Sequence, residues 1–313
     1  MNGNRIGIDL GGTKIEAIIL NYRGEITHRA RVETPRDNYP DALSAINGLV
    51  QKLEKEAGLA EPIPIGIGTP GAISHKTGLM KNCNSTCLNG MPLREDLEKL
   101  MSRPVRIAND ADCFTLSEAN DGAAAGTNNV FGVILGTGVG GGICLNQQLL
   151  QGVNAIAGEW GHNPLALDNL ESDNADYPTM PSRICYCGHR NCVESWLAGP
   201  SFELSYEIAS GHRLPAPGIV ELVDRGEPVS TMIMDRYYNM LALALSTIIN
   251  ILDPEKIVLG GGMSNIKHLC TEVPKYLDRY VFSDRVDTQI VKARHGDSSG
   301  VRGAAWLWPP QHA

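Results

Sequence analysis

The sequence is poor in positive charge and has no long hydrophobic segment. Its 27 Lys and Arg residues face 35 Asp and Glu residues, so the formal net charge is −8. A protein that binds nucleic acid needs a basic face, so this charge balance argues against a nucleic-acid partner. The longest apolar run, 241–252, is too short to span a bilayer and contains Ser246, Thr247 and Asn250. We therefore expect a buried helix there and no membrane partner.

A secretion signal is also missing from the start of the sequence, where no apolar stretch is long enough for one. We accordingly expect a cytoplasmic protein. In a reducing compartment, cysteines are more often metal ligands or core residues than disulfide partners. Core packing is predicted for five of the eight: Cys83, Cys87, Cys113, Cys144 and Cys270.

The other three cysteines and one histidine are spaced as zinc ligands. The set is His162, Cys185, Cys187 and Cys192. Structural Zn²⁺ takes four N and S ligands, and a histidine that would otherwise be a core residue becomes a ligand beside three thiols. Glu159 and Glu194 flank the segment. Their carboxylates either accept hydrogen bonds from a polyhydroxylated ligand or support the zinc ligands.

A glycine-rich turn between two predicted strands occurs twice, first at Gly11 and again at Gly136, which is 125 residues later (136 − 11). Backbone N–H groups in such turns approach phosphate oxygens closely, whereas a single copy is equally compatible with a plain hairpin. A further glycine cluster, 260–262, follows a predicted strand at 256–259. The repetition indicates an internal duplication that holds the phosphates of a nucleotide.

Two other phosphate-binding motifs are excluded. A Walker A loop is absent from the sequence. The segment 136–141 fits the dinucleotide fingerprint Gly-x-Gly-x-x-Gly, but a strand is predicted after it, at 143–145. Because that fingerprint requires a helix after the glycines, we reject a Rossmann site.

Asn109 and Asp110 follow a predicted strand at 105–108, where open α/β sheets place their ligands. A hydroxyl that attacks a γ-phosphate needs a carboxylate to accept its proton, and Asp110 suits that role. Capping of the next helix explains the residue equally well, and both interpretations stay open. Asp112 is interpreted as a first-turn charge of that helix.

Together these motifs resemble the ROK family (repressors, open reading frames, kinases), over essentially the whole chain. The resemblance is carried by Asp9-Leu-Gly-Gly-Thr-Lys14, by the zinc motif, and by Gly296-Asp297 and Gly303-Ala-Ala305. The chain has Asn191 where the family usually has glycine, and a longer gap between His162 and Cys185.

The resemblance implies an α/β protein with the actin-like ATPase (ribonuclease H-like) fold. Its small lobe would comprise 1–112 and 298–313 and its large lobe 113–297, with a nucleotide and sugar cleft between them. Asp110 would be the catalytic base. The implied sugar contacts are Asn109, Glu159, His162, Glu194, Gly71 and Asn84. The implied ATP contacts are Asp9, Gly11, Gly12, Thr13, Lys14, Thr137, Gly138, Val139, Gly140, Gly141, Gly261 and Gly262. Mg²⁺ would accompany ATP, held by Asp9 through water, zinc would be structural, and a homodimer is expected.

The predicted activity is transfer of the γ-phosphoryl of ATP to a hexose hydroxyl, the 6-OH. Segments 82–90 and 158–164 most resemble bacterial fructokinases that also take mannose, so fructose is the predicted substrate. N-acetylglucosamine kinases are the alternative. A sugar-sensing ROK regulator is another, although such regulators carry an N-terminal helix-turn-helix and only a few residues precede the first predicted strand here. A catalytically silent sugar-binding protein is the third.

Overall fold

The structure is a computed structural model that describes residues 3–35, 38–83, 85–170 and 180–309. It divides into two compact units. The first comprises Met1–Gly126, Gly142–Ala157 and Arg294–Ala313, and the second Thr127–Gly141 and Gly158–Ala293. The lobe boundaries at 112 and 298 stay a prediction.

Twelve strands lie in the described residues. They are β1 (Arg5–Leu10), β2 (Lys14–Leu20), β3 (Ile26–Glu33), β4 (Ile65–Thr69), β5 (Ala72–Ile73), β6 (Met80–Lys81), β7 (Val105–Asn109), β8 (Asn129–Leu135), β9 (Val139–Leu145), β10 (Gln148–Leu149), β11 (Lys256–Gly260) and β12 (Gln289–Lys292). Two five-stranded sheets have the orders β3-β2-β1-β4-β7 and β10-β9-β8-β11-β12, and β5 and β6 form a small third sheet. Each large sheet starts from a strand–turn–strand unit and continues in the same pattern, so the predicted repetition of this unit is confirmed.

Ten α-helices lie in the same residues. They are α1 (Tyr39–Glu56), α2 (Leu93–Met101), α3 (Asp110–Asn120), α4 (Glu194–Leu197), α5 (Gly199–Ser210), α6 (Ala216–Asp224), α7 (Pro228–Leu252), α8 (Leu269–Glu272), α9 (Pro274–Leu277) and α10 (Ser299–Trp306). None of the described helices combines the length and the apolar character required to cross a bilayer.

The first sheet is covered on both faces within the first unit. Along β2, Ile15 and Ile19 point into a core shared with α1 and α2, whereas Ile18 and Leu20 pack with Val301 of α10. Successive side chains of a strand point to opposite faces, so an uninterrupted apolar run is expected when both faces are buried. β1 pairs in parallel with β4, and β4 with β7, so their carboxyl ends meet at one edge.

Several glycines, Gly66 and Gly303 among them, permit α10 to lie close against its neighbours. A Cβ atom on Gly66 of β4 would collide with the carbonyl of Ala304, and one on Gly303 with the carbonyl of Cys113 in α3. Neither backbone can withdraw without disrupting its own element. Glycine at these positions is therefore a requirement of packing and not of backbone conformation.

The second unit contains the longest helix, α7, which begins at Pro228 and not at the predicted 241. The carboxylate of Glu227 caps it by accepting hydrogen bonds from the N–H groups of Val229 and Ser230 at 3.1 and 2.6 Å. Proline suits the first helical turn, where its missing N–H has no helical partner to lose. The 241–252 run is thus the buried end of a helix twice as long as the apolar pattern indicates.

The glycine-rich turn predicted from Gly136 up to the strand at 143–145 is wrong in its extent. The turn covers 136–138 only, and β9 already begins at Val139. The reason is packing, because a Cβ on Gly141 would lie 2.6 Å from Cδ1 of Trp160. These later glycines admit an indole ring against a strand and do not form part of the turn.

Candidate functional site

The predicted site residues fall into two groups, one in each unit, and each group is described by itself. In the first unit, the turn between β1 and β2 is closed by a 3.1 Å hydrogen bond from the N–H of Gly11 to the carbonyl of Lys14. Thr34 fixes the turn from β3, since its hydroxyl donates to the carbonyl of Gly11 at 2.7 Å. Gly12, Thr13 and Lys14 remain exposed. An ordered hairpin with an exposed tip is a suitable phosphate-binding element.

Asp9 is the last residue but one of β1, beside this turn. Burial, followed by the nearby carboxylates of Asp110 and Glu16, raises the pKa of its carboxyl to about 6, while Lys14 acts in the opposite direction. Like charges that cannot separate disfavour the ionised form. A divalent cation relieves that repulsion, so the residue is a suitable Mg²⁺ contact.

Glu16 is a neighbour of Asp9 that the sequence reasoning missed. It is the cross-strand partner of Asp9 and is only 4% exposed. Arg31 and Arg29 compensate its charge, with Nε atoms 2.7 and 3.4 Å from its carboxylate oxygens. The signal was available, because Glu16 is the one charged residue inside the apolar stretch 15–20.

The capping role at the start of α3 belongs to Asn109 and not to Asp110. The side-chain oxygen of Asn109 accepts a 2.6 Å hydrogen bond from the N–H of Asp112, whereas Asp110 accepts one from its neighbour Ala111 at 2.8 Å. Asp110 reaches solvent, yet protein atoms crowd its carboxylate, and this loss of water raises its pKa. Capping therefore does not account for Asp110, and its role as a base stays a prediction.

Gly71 is buried behind the same sheet edge, where a Cβ would lie 2.5 Å from both Sγ of Cys83 and the carbonyl of Lys81. The hydroxyl of Thr69 donates to the carbonyl of Gly71 at 2.8 Å and fixes this turn. Asn84, the other predicted sugar contact of this region, lies outside the described residues. Cys83, Cys113 and Cys144 are buried, as core packing predicts, and Cys87 and Cys270 are half-buried.

In the second unit, the turn at 136–138 is closed by a 2.9 Å hydrogen bond from the N–H of Gly136 to the carbonyl of Gly138. The N–H of Val139, the first residue of β9, donates to Oε2 of Glu194 at 2.9 Å. Thr137 is exposed at the tip. Gly140 is held in the strand, because its carbonyl accepts from the indole N–H of Trp160 at 3.0 Å.

The third glycine cluster lies at the same sheet edge as this turn. β8 and β11 are parallel, with Gly260 opposite Ile134, so Gly261 begins where β11 ends. Gly261 has φ +80°, a conformation that strongly favours glycine, and Gly262 starts a 3₁₀ turn. Both are exposed. The turn and the cluster thus offer backbone groups at one edge of the sheet.

His162, Cys185, Cys187 and Cys192 form a group that can hold a metal ion, with all ligand atoms within 4.8 Å of one another. Nδ1 of His162 faces the thiols, 3.6 Å from Sγ of Cys185, and its Nε2 is 3.1 Å from the hydroxyl of Tyr186. One imidazole and three sulfurs are the donor set of a structural zinc site, so the residues fit that ion.

Asn191 stands at the position where the resemblance leads one to expect glycine. It adopts φ +55°, a left-handed conformation that asparagine tolerates better than most residues. Its side-chain oxygen accepts a 2.9 Å hydrogen bond from the N–H of Arg183, and its own N–H donates to the carbonyl of Arg183 at 2.8 Å. These bonds stabilise the conformation that a glycine would adopt freely.

The two predicted sugar-binding carboxylates of this unit differ in environment. Glu159 is exposed and precedes the 3₁₀ turn Trp160–His162. Glu194 is half-buried, and its second oxygen, Oε1, lies 3.8 Å from Sγ of Cys185. The structure thus gives Glu194 two protein partners, and the sugar contacts stay predictions.

Comparison with known proteins defines the class. The ROK family profile matches residues 5–311, so the chain belongs to the ROK family, as its motifs predict. An N-acetyl-D-glucosamine kinase of Yersinia pseudotuberculosis serotype IB (strain PB1/+) is 40% identical over 301 residues, which are 96% of this chain and 97% of that protein.

Solved structures show the same fold. The ROK hexokinase of Thermus thermophilus has a TM-score of 0.83 at 27% identity, covering 97% of each chain. A ROK family glucokinase from Streptomyces griseus, solved in complex with glucose and AMPPNP, has a TM-score of 0.73 at 25% identity, covering 97% of this chain and 98% of the other. The predicted α/β, actin-like ATPase fold is confirmed.

Proposed function

We propose that this protein is an ATP-dependent sugar kinase that phosphorylates the 6-hydroxyl of N-acetyl-D-glucosamine. The observation that carries the proposal is the 40% identity, over nearly the whole of both chains, to a protein named as a kinase of that sugar. The relation to a glucokinase solved with glucose and a nucleotide analogue supports the same reaction class. The fructose preference predicted from segments 82–90 and 158–164 has no support among these relatives.

In the proposed reaction the 6-hydroxyl oxygen forms a bond to the γ-phosphorus of ATP as the bond from that phosphorus to the bridging oxygen of ADP breaks. Asp110 accepts the hydroxyl proton. Because crowding by protein raises its pKa, the carboxylate is a better proton acceptor than a fully hydrated aspartate. Asn109 orients the sugar, and its orientation is fixed by the cap that it forms on α3.

The glycine turns supply the phosphate contacts. Exposed N–H groups at Gly12 and Thr13, at Thr137 and at Gly262 bind phosphate oxygens in this proposal. Asp9 would hold Mg²⁺, which would offset charge on the phosphates. His162 and the three cysteines hold zinc, which has a structural role and fixes the loop that carries Glu159 and Glu194.

A coupled ADP-release assay tests the proposal. N-acetylglucosamine, N-acetylmannosamine, glucose, mannose and fructose are compared at matched concentrations, with ATP and Mg²⁺ in excess. We expect the highest kcat/KM with N-acetylglucosamine. A higher value for fructose or mannose would restore the substrate predicted from the sequence, and no sugar-dependent ADP release with any of the five would contradict a kinase. ³¹P NMR of the product identifies the phosphorylated position.

A further inference from the structure

A cavity of about 140 Å³ lies in the first unit beside Asn109. Its walls come from β5, from the end of β7 and from the segment 150–157. Of the described residues that line it, only Asn109 is a predicted sugar contact. The cavity therefore adjoins the proposed sugar position but is not accounted for by the residues assigned to the sugar ring.

Small apolar side chains form one part of the lining of this cavity, beside polar and charged ones. Ala72, Ala108 and Ala157 line it and are buried or half-buried. The basic residues His75 and Arg94 line it too, but both are exposed to solvent. The alanine side chains thus offer a surface on which a methyl group can pack.

The polar part of the lining also includes Gln151, which is exposed, and the side chains of Asp112 and Asn109. Asp112 contributes a carboxylate, which accepts hydrogen bonds and repels anions. Because Oδ1 of Asn109 accepts the N–H of Asp112 at 2.6 Å, the Nδ2 of Asn109 is left as the donating end of that amide. An acceptor, a donor and an apolar surface together match a neutral secondary amide that carries a methyl group.

We propose that this cavity receives the 2-acetamido substituent of the sugar. The methyl group packs on the alanines, the amide N–H donates to Asp112, and the amide oxygen accepts from Nδ2 of Asn109. This inference rests on the proposed function, since it takes the hexose to be held at Asn109. It makes Ala72 and Ala157 specificity-determining positions, which separate N-acetylated hexoses from plain ones.

The first test fills the cavity from two walls, with Ala72→Val on β5 and Ala157→Val on the facing segment. The readout is the ratio of dissociation constants for N-acetylglucosamine and glucose, measured by calorimetry without turnover. A methyl-sized change in an apolar pocket alters discrimination about 10-fold or more, so each variant should weaken N-acetylglucosamine relative to glucose by at least about 10-fold. Ala60→Val, on the exposed loop after α1, is the matched control and should leave the ratio unchanged.

The second test enlarges the cavity with Ile73→Ala. Wild-type protein should bind N-acetylglucosamine about 10-fold more tightly than N-butanoylglucosamine, and the variant should reduce or reverse that preference. This test looks for improved binding of a larger ligand. Its result therefore does not depend on whether the Ala→Val variants fold. Thermal unfolding of every variant, compared with wild type, accompanies both arms.

Three outcomes overturn the inference. They are filling variants that leave the ratio within about 3-fold of wild type, filling variants that weaken glucose as much as N-acetylglucosamine, and an acyl-length preference that Ile73→Ala does not shift. If the wild-type protein phosphorylates N-acetylglucosamine and any of these outcomes is found, the assignment of the cavity to the acetamido group is refuted and the proposed function stands. A wild-type protein that phosphorylates other hexoses but not this one refutes the proposed substrate instead.

Discussion

The carboxylate of Glu194 connects Val139 with the metal-binding group. Its Oε2 accepts the backbone N–H of Val139 at 2.9 Å, and its Oε1 is the 3.8 Å acceptor for the thiol of Cys185. The side chain of Glu194 thus connects the start of β9 to the cysteine loop. The start of β9 directly follows a predicted phosphate-binding turn. Anything that displaces this carboxylate should disturb both elements.

Gly138→Ala should displace it. The added Cβ would lie 2.6 Å from Oε2 of Glu194, and real Cβ atoms do not approach oxygen so closely. We expect the loss of a hydrogen bond to a charged acceptor, about 1.5–3 kcal/mol of stability, with weaker ATP binding. Urea unfolding and nucleotide titration measure the two effects. Gly48→Ala, at a helical glycine with open space, is the control and should stabilise α1 by ~0.5–1 kcal/mol.

Asp110→Asn should abolish turnover but not sugar binding. Asparagine keeps the shape of the side chain and its hydrogen bond from Ala111, but it cannot accept the hydroxyl proton. General-base catalysis contributes about 10²- to 10⁴-fold, so kcat should fall at least 100-fold while the dissociation constant of the sugar changes little. Turnover within about tenfold of wild type would show that the base is a different group.

The raised pKa of Asp9 makes the stability of the ligand-free protein depend on pH. A carboxyl with a folded-state pKa of about 6, above its unfolded value, favours folding while it is protonated. That contribution is complete below the unfolded pKa of 3.8 and is lost as the pH rises through 6. Asp9→Asn removes the charge, so it should stabilise the protein above pH 6 by about 1–2 kcal/mol, allowing for partial solvent screening.

Urea unfolding at pH 4.5, 6 and 8, without nucleotide or Mg²⁺, checks this expectation. The stability difference between the variant and wild type should grow with pH and level off above about 7. Asp284→Asn, at an exposed position, is the control and should give no such trend. If Asp9→Asn destabilises the protein at pH 8, burial and the repulsion from Asp110 and Glu16 do not govern the stability contribution of this carboxyl. The same variant should lose ATP-dependent activity, because the proposed Mg²⁺ contact is gone.

Sequence reasoning succeeded where the signal is local. The cysteines lie within eight residues of one another, and zinc chemistry fixes their roles, so the group with His162 was predictable. The first glycine turn was predictable too, since a hairpin brings together residues close in sequence. Helix α2 carried a readable signal that was missed, because Leu93, Leu97 and Met101 recur at helical spacing and are buried.

Prediction from the sequence failed where residues distant along the chain decide the structure. Gly140 and Gly141 look like loop residues in the sequence, yet they lie in β9 because Trp160 packs against them. Glu194 looks like a free carboxylate, but Val139, more than fifty residues earlier, occupies one of its oxygens. The substrate was harder still, because related hexoses differ by one substituent that no short motif encodes.

Removal of the metal-binding group should release zinc and loosen its loop. Cys187 is the exposed member of the set, so Cys187→Ser is the least disruptive change. We expect about one zinc per chain in wild-type protein by inductively coupled plasma mass spectrometry and much less in the variant. Thermal stability should fall, and sugar affinity with it. Cys270→Ser, outside the group, should retain the metal, and a fully active, zinc-free Cys187→Ser would exclude a role for zinc in shaping the site.

Arg183 should support the same group without touching the metal. Its guanidinium is buried, stacks 4.0 Å above the ring of Trp196, and donates to the carbonyls of Ser195 and Ser201 at 3.0 and 2.9 Å. Arg183→Lys keeps the charge but loses the planar fork, so one or more of these acceptors goes unpaired, and stability should fall by about 2–3 kcal/mol.

The metal-binding loop should respond as well, because Arg183 also bonds through its backbone to Asn191, beside Cys192. Loss of such supporting contacts weakens metal affinity about 10- to 100-fold, so zinc transfer to a chromogenic chelator should accelerate by at least tenfold in Arg183→Lys. Arg213→Lys is the control, since Arg213 is exposed after α5. If Arg183→Lys lowers stability but leaves the rate of zinc release unchanged, the guanidinium serves only the packing of α4 and α5, and the cysteine loop holds its shape through Asn191 and the metal.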